Sequence, residues 1–167
     1  MFEKIRKMKN QKGFTLVELI VVLVILAILA AMLVPALTGY IDKANNQKIV
    51  ATTRQVVMAA QTEISEAYGK GKLENTSVTI EDGKTKQDPD KDTNITGEAI
   101  VKLAEVGDLS GTGSTYKLKN GITKIEITYT ADGHVKTLVL TQGKKTCTYT
   151  EGVTTGNNGA YDVKPVA

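Results

Sequence analysis

Residues 19–37 read LIVVLVILAILAAMLVPAL, nineteen positions without a charge or a strongly polar group. At about 1.5 Å rise per residue this is roughly 28 Å of helix, close to the hydrocarbon thickness of a bilayer. The pattern then changes instead of stopping. From Asp42 the chain turns polar, yet Ile49, Val56, Val57, Ala60, Ile64 and Ala67 recur at spacings of three, four and seven. That period predicts an amphipathic continuation of the same helix, from Phe14 to about Tyr68, ending at Gly69 in the GKGK turn signal. Its apolar stripe needs a cover.

The second half of the chain supplies one. Residues 116–119, 122–130, 135–141 and 146–150 are β-branched or aromatic runs, separated by Asn120-Gly121, Asp132-Gly133 and Gln142-Gly143. Such dipeptides between strand-like runs predict an antiparallel meander of about four strands, and so an α+β fold. Residues 73–114 connect helix to sheet, with a short strand expected at 78–80 and a short helix at 97–106. For that helix Thr96 is the candidate cap and Gly107 the stop, with Ile100, Leu103 and Ala104 facing the core. The closing GNNGAYDVKPVA reads as a loose tail. The 167 residues leave room for one ordinary domain beside the membrane segment.

Charge narrows the function. The net formal charge is +3, but Lys4, Arg6, Lys7, Lys9 and Lys12 against Glu3 put +4 into the first thirteen residues, leaving −1 from Phe14 onward. A near-neutral body gives no case for a phosphate-binding surface, so nucleic-acid binding is not expected. The basic cluster ahead of the apolar run places the N-terminus in the cytoplasm and the body outside. Cys147 and His134 are each alone in the sequence, which rules out an intrachain disulfide and leaves a small strand hydrophobe and a turn residue as the simple readings.

A secretory signal would have a shorter apolar region ending in small residues, and that region would be discarded. Here the small residues are embedded in the run, and Gly13 stands between the charges and the apolar stretch. A cut after Gly13 removes the charges and keeps the helix. It also gives Phe14 an α-amino group, whose ordinary pKa of about 7.7–8.0 leaves it mostly cationic at neutral pH. Glu18, a carboxylate at the edge of the apolar run, needs a partner, because charge in or near a bilayer is costly. Lying four residues beyond Phe14, it can face the new amine in its own chain or in a neighbour, and the latter pair would set the axial register of an assembly. The alternative is an interfacial glutamate that snorkels into water. Pro35 removes a helical hydrogen bond to Ala31 and predicts a kink or loosened turn, with Gly39 a second weak point.

The stretch KNQKGFTLVELIVVLVILAILAAMLVPAL closely resembles the class III signal of type IV pilins, with Gly13, Phe14, Thr15, Leu16, Val17, Glu18 and Pro35 matching in kind and spacing. The resemblance covers the first quarter to third of the chain. It implies a type IV pilin fold, with a long N-terminal helix on a four-stranded meander and a short helix in the αβ-loop. It also implies a prepilin peptidase that cleaves after Gly13 and methylates Phe14, and an assembly role for Thr15, Leu16, Val17 and Glu18. The expected divisions are a leader at 1–13, a transmembrane and assembly half-helix at 14–41, and an extracellular domain at 42–167. The expected course runs from a single-pass cytoplasmic-membrane protein to a surface filament for adhesion or motility. Its expected partners are copies of itself in a helical filament, the peptidase, and an assembly platform with its ATPase. Gram-negative members usually carry a C-terminal disulfide that a single Cys147 cannot form, so the chain looks more like Gram-positive pilins. In related filaments the helix melts before this proline, which marks residues 27–35 as the extensible part.

Other chemistries find little support. Asp88, Asp90 and Asp92 resemble the opening of a calcium loop, but Thr93 replaces its glycine and Ala99 its bidentate glutamate. No metal, cofactor or catalytic residue is expected. A pseudopilin of a secretion or DNA-uptake system shares the same N-terminal signal and is the alternative; a membrane-anchored enzyme would require a constellation that is not recognisable here.

Overall fold

The computed structural model describes residues 13–71, 73, 77–84, 95–110, 115–154 and 159–166. The basic residues ahead of Gly13 and the acids Asp88, Asp90 and Asp92 lie outside the described residues. The chain divides into two compact units, Met1–Ala44 and Asn45–Ala167. A helix, α1 (Leu16–Gly69), contributes to both.

In the first unit α1 stays helical through Pro35. The ring cannot donate to the carbonyl of Ala31, and three residues on, the Thr38 hydroxyl donates to the Pro35 carbonyl at 2.8 Å. Leu23, Leu26 and Leu33 are exposed, as are the other large apolar side chains among the described residues of this unit.

In the second unit α1 buries the stripe that the sequence spacing picks out. Ile49, Val56, Val57, Ala60, Ile64 and Ala67 are all buried, joined by Val50, Thr52, Thr53 and Ala59. The two threonines are tolerated because each hydroxyl returns to a carbonyl one turn back, Thr52 to Lys48 and Thr53 to Ile49.

The cover is a five-stranded antiparallel sheet in the order β1 (Ser77–Glu81), β4 (Ile122–Tyr129), β5 (Val135–Gln142), β6 (Lys145–Thr150), β7 (Tyr161–Pro165). Its register stacks two apolar rows across all five strands. One row is Ile80, Ile125, Leu140, Cys147 and Val163, and the other is Val78, Ile127, Leu138, Tyr149 and Tyr161. These rows and the α1 stripe share one core. Alternate positions carry the polar set, for example Thr79, Glu126, Thr148 and Asp162, as a half-buried antiparallel sheet requires.

Several expectations need correction. The closing segment is not a loose tail, because β7 forms the fifth strand and its Tyr161 packs on Tyr149, with Arg54 of α1 over the Tyr161 ring at 5.2 Å. The run at 116–119 leaves the meander. As β3 (Thr115–Leu118) it pairs with β2 (Gly107–Ser110) in a separate two-stranded sheet, and the place it was expected to hold beside β4 is taken by β1. Asn120 and Gly121 still turn the chain, both with positive φ, and the Ile122 amide donates to the Lys119 carbonyl. The turn was legible, but the partners of the strands it joins were not.

The short helix is α2 (Gly97–Leu103), and the Thr96 hydroxyl accepts from the Ala99 amide as its N-cap. It stops earlier than 106. Glu105 takes a left-handed conformation at φ 56, with Glu105 N–H donating to the Lys102 carbonyl and Val106 N–H to the Val101 carbonyl. That pair of bonds is a Schellman ending built on a glutamate instead of a glycine. Gly107 is therefore the first residue of β2 and not the stop; a Cβ there would fall 2.7 Å from the Lys117 carbonyl oxygen. Ile100 and Ala104 reach the core as expected, but Leu103 is exposed and Val101 is buried in its stead.

Candidate functional site

Every residue singled out for processing and assembly belongs to the first unit. Gly13 is exposed, and a side chain built on it meets nothing within 4 Å. Phe14 is 86% exposed, so the Gly13–Phe14 bond lies open on the surface. Leu16 and Val17 open α1 with exposed side chains. Gly39 sits inside α1 with open space around it.

Glu18 has a partner within its own turn. Thr15 stands immediately before α1, and its amide and hydroxyl both donate to Glu18 Oε2 at 2.8 Å. In return the Glu18 amide donates to the Thr15 hydroxyl oxygen at 3.2 Å. This reciprocal arrangement is a capping box: a threonine and a glutamate three residues apart satisfy orphan amides at a helix start. The helix dipole favours the negative charge there as well. The sequence reading weighed Glu18 against an amine four residues away and overlooked this bond, although Thr-Leu-Val-Glu is itself the T-x-x-E signature. The carboxylate is thus aimed back at Thr15, the residue after Phe14.

Beyond the capping box, residues 19–37 offer an apolar surface without cover. α1 is long and apolar enough to cross a membrane by length and composition, and its most apolar window is not buried at all. An exposed apolar surface of this extent marks a membrane or protein contact.

The remaining chemistry-bearing side chains lie in the second unit. Cys147 is fully buried in the core, where desolvation pushes its thiol pKa up. His134 is exposed in the β4–β5 connection, 3.8 Å from Glu151. Among the described residues no group of three or more His, Cys, Asp or Glu could hold a metal ion.

Sequence reasoning also missed Gln61, whose side-chain amide donates to the Gly133 carbonyl at 2.7 Å and accepts from the Val135 amide at 2.9 Å. It fastens α1 to the β4–β5 hairpin. Nothing in local sequence distinguishes it from any other polar residue of the helix.

Residues 8–34 match the family model of the prokaryotic N-terminal methylation motif. Among curated proteins, the chain is similar to the type IV major alpha-pilin of Moraxella bovis, 30% identical over 138 residues that cover 83% of this chain and 72% of that protein. No solved structure matches significantly.

Proposed function

The chain belongs to the type IV pilin family, and from that premise we propose that it is the structural subunit of a surface pilus, made as a membrane-held precursor. Membership points to a structural role and away from catalysis. The observation that carries the reading is the arrangement at the start of α1: an open Gly13–Phe14 bond, a capping box, then an apolar surface with no cover.

In this reading a prepilin peptidase cuts after Gly13, removes residues 1–13 and methylates the new amine of Phe14. Residues 14–41 hold the chain in the cytoplasmic membrane, N-terminus inward, and 42–167 project outside. An assembly platform and its ATPase then draw the subunit into a helical filament, which serves adhesion or motility. Energy input is needed because lipid is nearly as apolar as the packed helices, so moving from one to the other releases little free energy.

Glu18 gains a second task on cleavage. Before the cut, its carboxylate serves the Thr15 amide and hydroxyl. Afterwards a cationic amine exists one residue upstream, and the carboxylate of one subunit neutralises the amine of the next. Pro35 and Gly39 supply the weak points at which the apolar half of α1 yields during packing. No observation on this chain favours a pseudopilin.

The test is the N-terminal mass of protein recovered from cells. It should begin at methylated Phe14, and Gly13→Leu should leave the long form in the membrane. An intact Met1 terminus in functional wild-type protein would overturn the proposal.

A further inference from the structure

One cleft of the second unit carries lysines and no acid in its lining. It has a volume of about 330 Å³ and is lined by Asn45, Lys48 and Ile49 of α1, by Asn120 and Gly121, and by the turn from Gln142 to Lys145. That volume is at the lower end of the roughly 300–1,000 Å³ typical of small-molecule sites. Three lysines line it and no acid does, in a body whose charge from Phe14 onward is −1. Asp42 and Lys43, just upstream, add no net charge.

The cleft is held in shape. The Gly143 amide donates to the Gly121 carbonyl at 3.0 Å, and the Gln142 side chain donates to the Asn120 carbonyl at 2.8 Å, so its two turns are tied together. Ile49, at 2% exposure, is buried beneath. Lys145 is anchored to Asn46 at 2.7 Å. Lys48 and Lys144 are exposed and make no ion pair among the described residues. Two unspent ammonium groups beside the amide side chains of Asn45 and Asn120 form a donor set suited to a phosphate oxyanion.

Connectivity indicates where such an anion comes from. Asn45 follows Leu37, the last residue of the apolar run, by eight positions. Even a fully extended tether of eight residues reaches at most about 28 Å. While the apolar run is in a bilayer, the cleft therefore stays within reach of the headgroup layer. We propose that this cleft binds the phosphate of an anionic phospholipid headgroup, holding the pilin body at the membrane surface until assembly withdraws it. The assignment rests on the membrane-held precursor proposed above.

The full-length chain in uncharged maltoside micelles, titrated with short-chain phosphatidylglycerol, tests it. Amide shifts should saturate and stay confined to Asn45, Lys48, Asn120, Gly121 and the turn from Gln142 to Lys145. Each lysine near an anionic surface contributes about a fivefold gain in affinity, so Lys48→Gln with Lys144→Gln should weaken binding roughly 25-fold. The rest of the spectrum should stay unchanged. Equal shifts with phosphatidylcholine, inorganic phosphate binding as tightly as the lipid, or an unaffected double variant would each overturn the site. A chain still carrying its leader in cells would instead remove the precursor reading, whereas a silent cleft in a correctly processed chain removes only the lipid.

Discussion

Glu18 bonds Thr15 in its own turn, and under the proposed processing it takes a second partner, the amine that cleavage would create. Thr15→Val removes the hydroxyl and keeps the carboxylate, whereas Glu18→Ala removes both interactions. If charge pairing between subunits sets assembly, the valine variant should retain filaments while the alanine variant loses most of them by electron microscopy. Equal loss in both would reduce Glu18 to a cap. Cys147 offers a different probe. Burial raises its thiol pKa, so iodoacetamide should leave it unmodified until the body unfolds. The sign for stability follows from the same shift: the unfolded chain loses the proton near the ordinary thiol pKa of about 8.5 while the folded chain keeps it. Stability should therefore decline as pH rises above that value, less so in Cys147→Ala, as measured by urea unfolding.

At the scale of elements, α2 shows how an ending can escape sequence reading. Its N-cap Thr96 was legible because the hydroxyl and its spacing are local. Its C-terminus was misplaced because the left-handed position went to Glu105, two residues ahead of the glycine that looked like the stop. A left-handed non-glycine residue carries about 1–2 kcal/mol of strain. Glu105→Gly should accordingly raise the unfolding free energy, by about 1 kcal/mol once glycine's extra unfolded-state entropy is set against the relief. No gain in thermal or urea stability would mean that the surrounding contacts, not the backbone, fix that conformation. β7 escaped for another reason. Its inward Tyr161 and Val163 alternate correctly, but a polar, glycine-bearing lead-in and Pro165 gave it the look of a terminus. An edge strand can accept proline because one side of it has no ladder to complete.

For the molecule as a whole, what could be read from sequence was whatever local period dictates: the apolar run, the α1 stripe, the three Gly-containing turns, and the central strands β4, β5 and β6. Long-range partnership was not legible. β1 joins β4 from more than forty positions away, and β3 turns to β2, because both choices depend on which edges remain open after the core closes. The candidate site could be proposed from sequence because it lies within six consecutive residues, 13–18; what the structure adds to it is the bond between Thr15 and Glu18. Gln61 is the opposite case, since its two partners lie more than seventy positions away. Gln61→Met should cost about 1–3 kcal/mol, because it leaves the Gly133 carbonyl and the Val135 amide without their bonds. A loss under about 0.5 kcal/mol by denaturant titration would show that solvent replaces them.

That same amide has a mechanical corollary. A greasy stripe made partly of alanines resists being peeled from a sheet but opposes sliding weakly, since a shift of one turn offers similar neighbours. A directional pair of bonds has no second seat. Gln61 therefore acts as a detent that fixes the phase of the helix against the sheet, and in the proposed filament subunits lacking it would creep under sustained load before they broke.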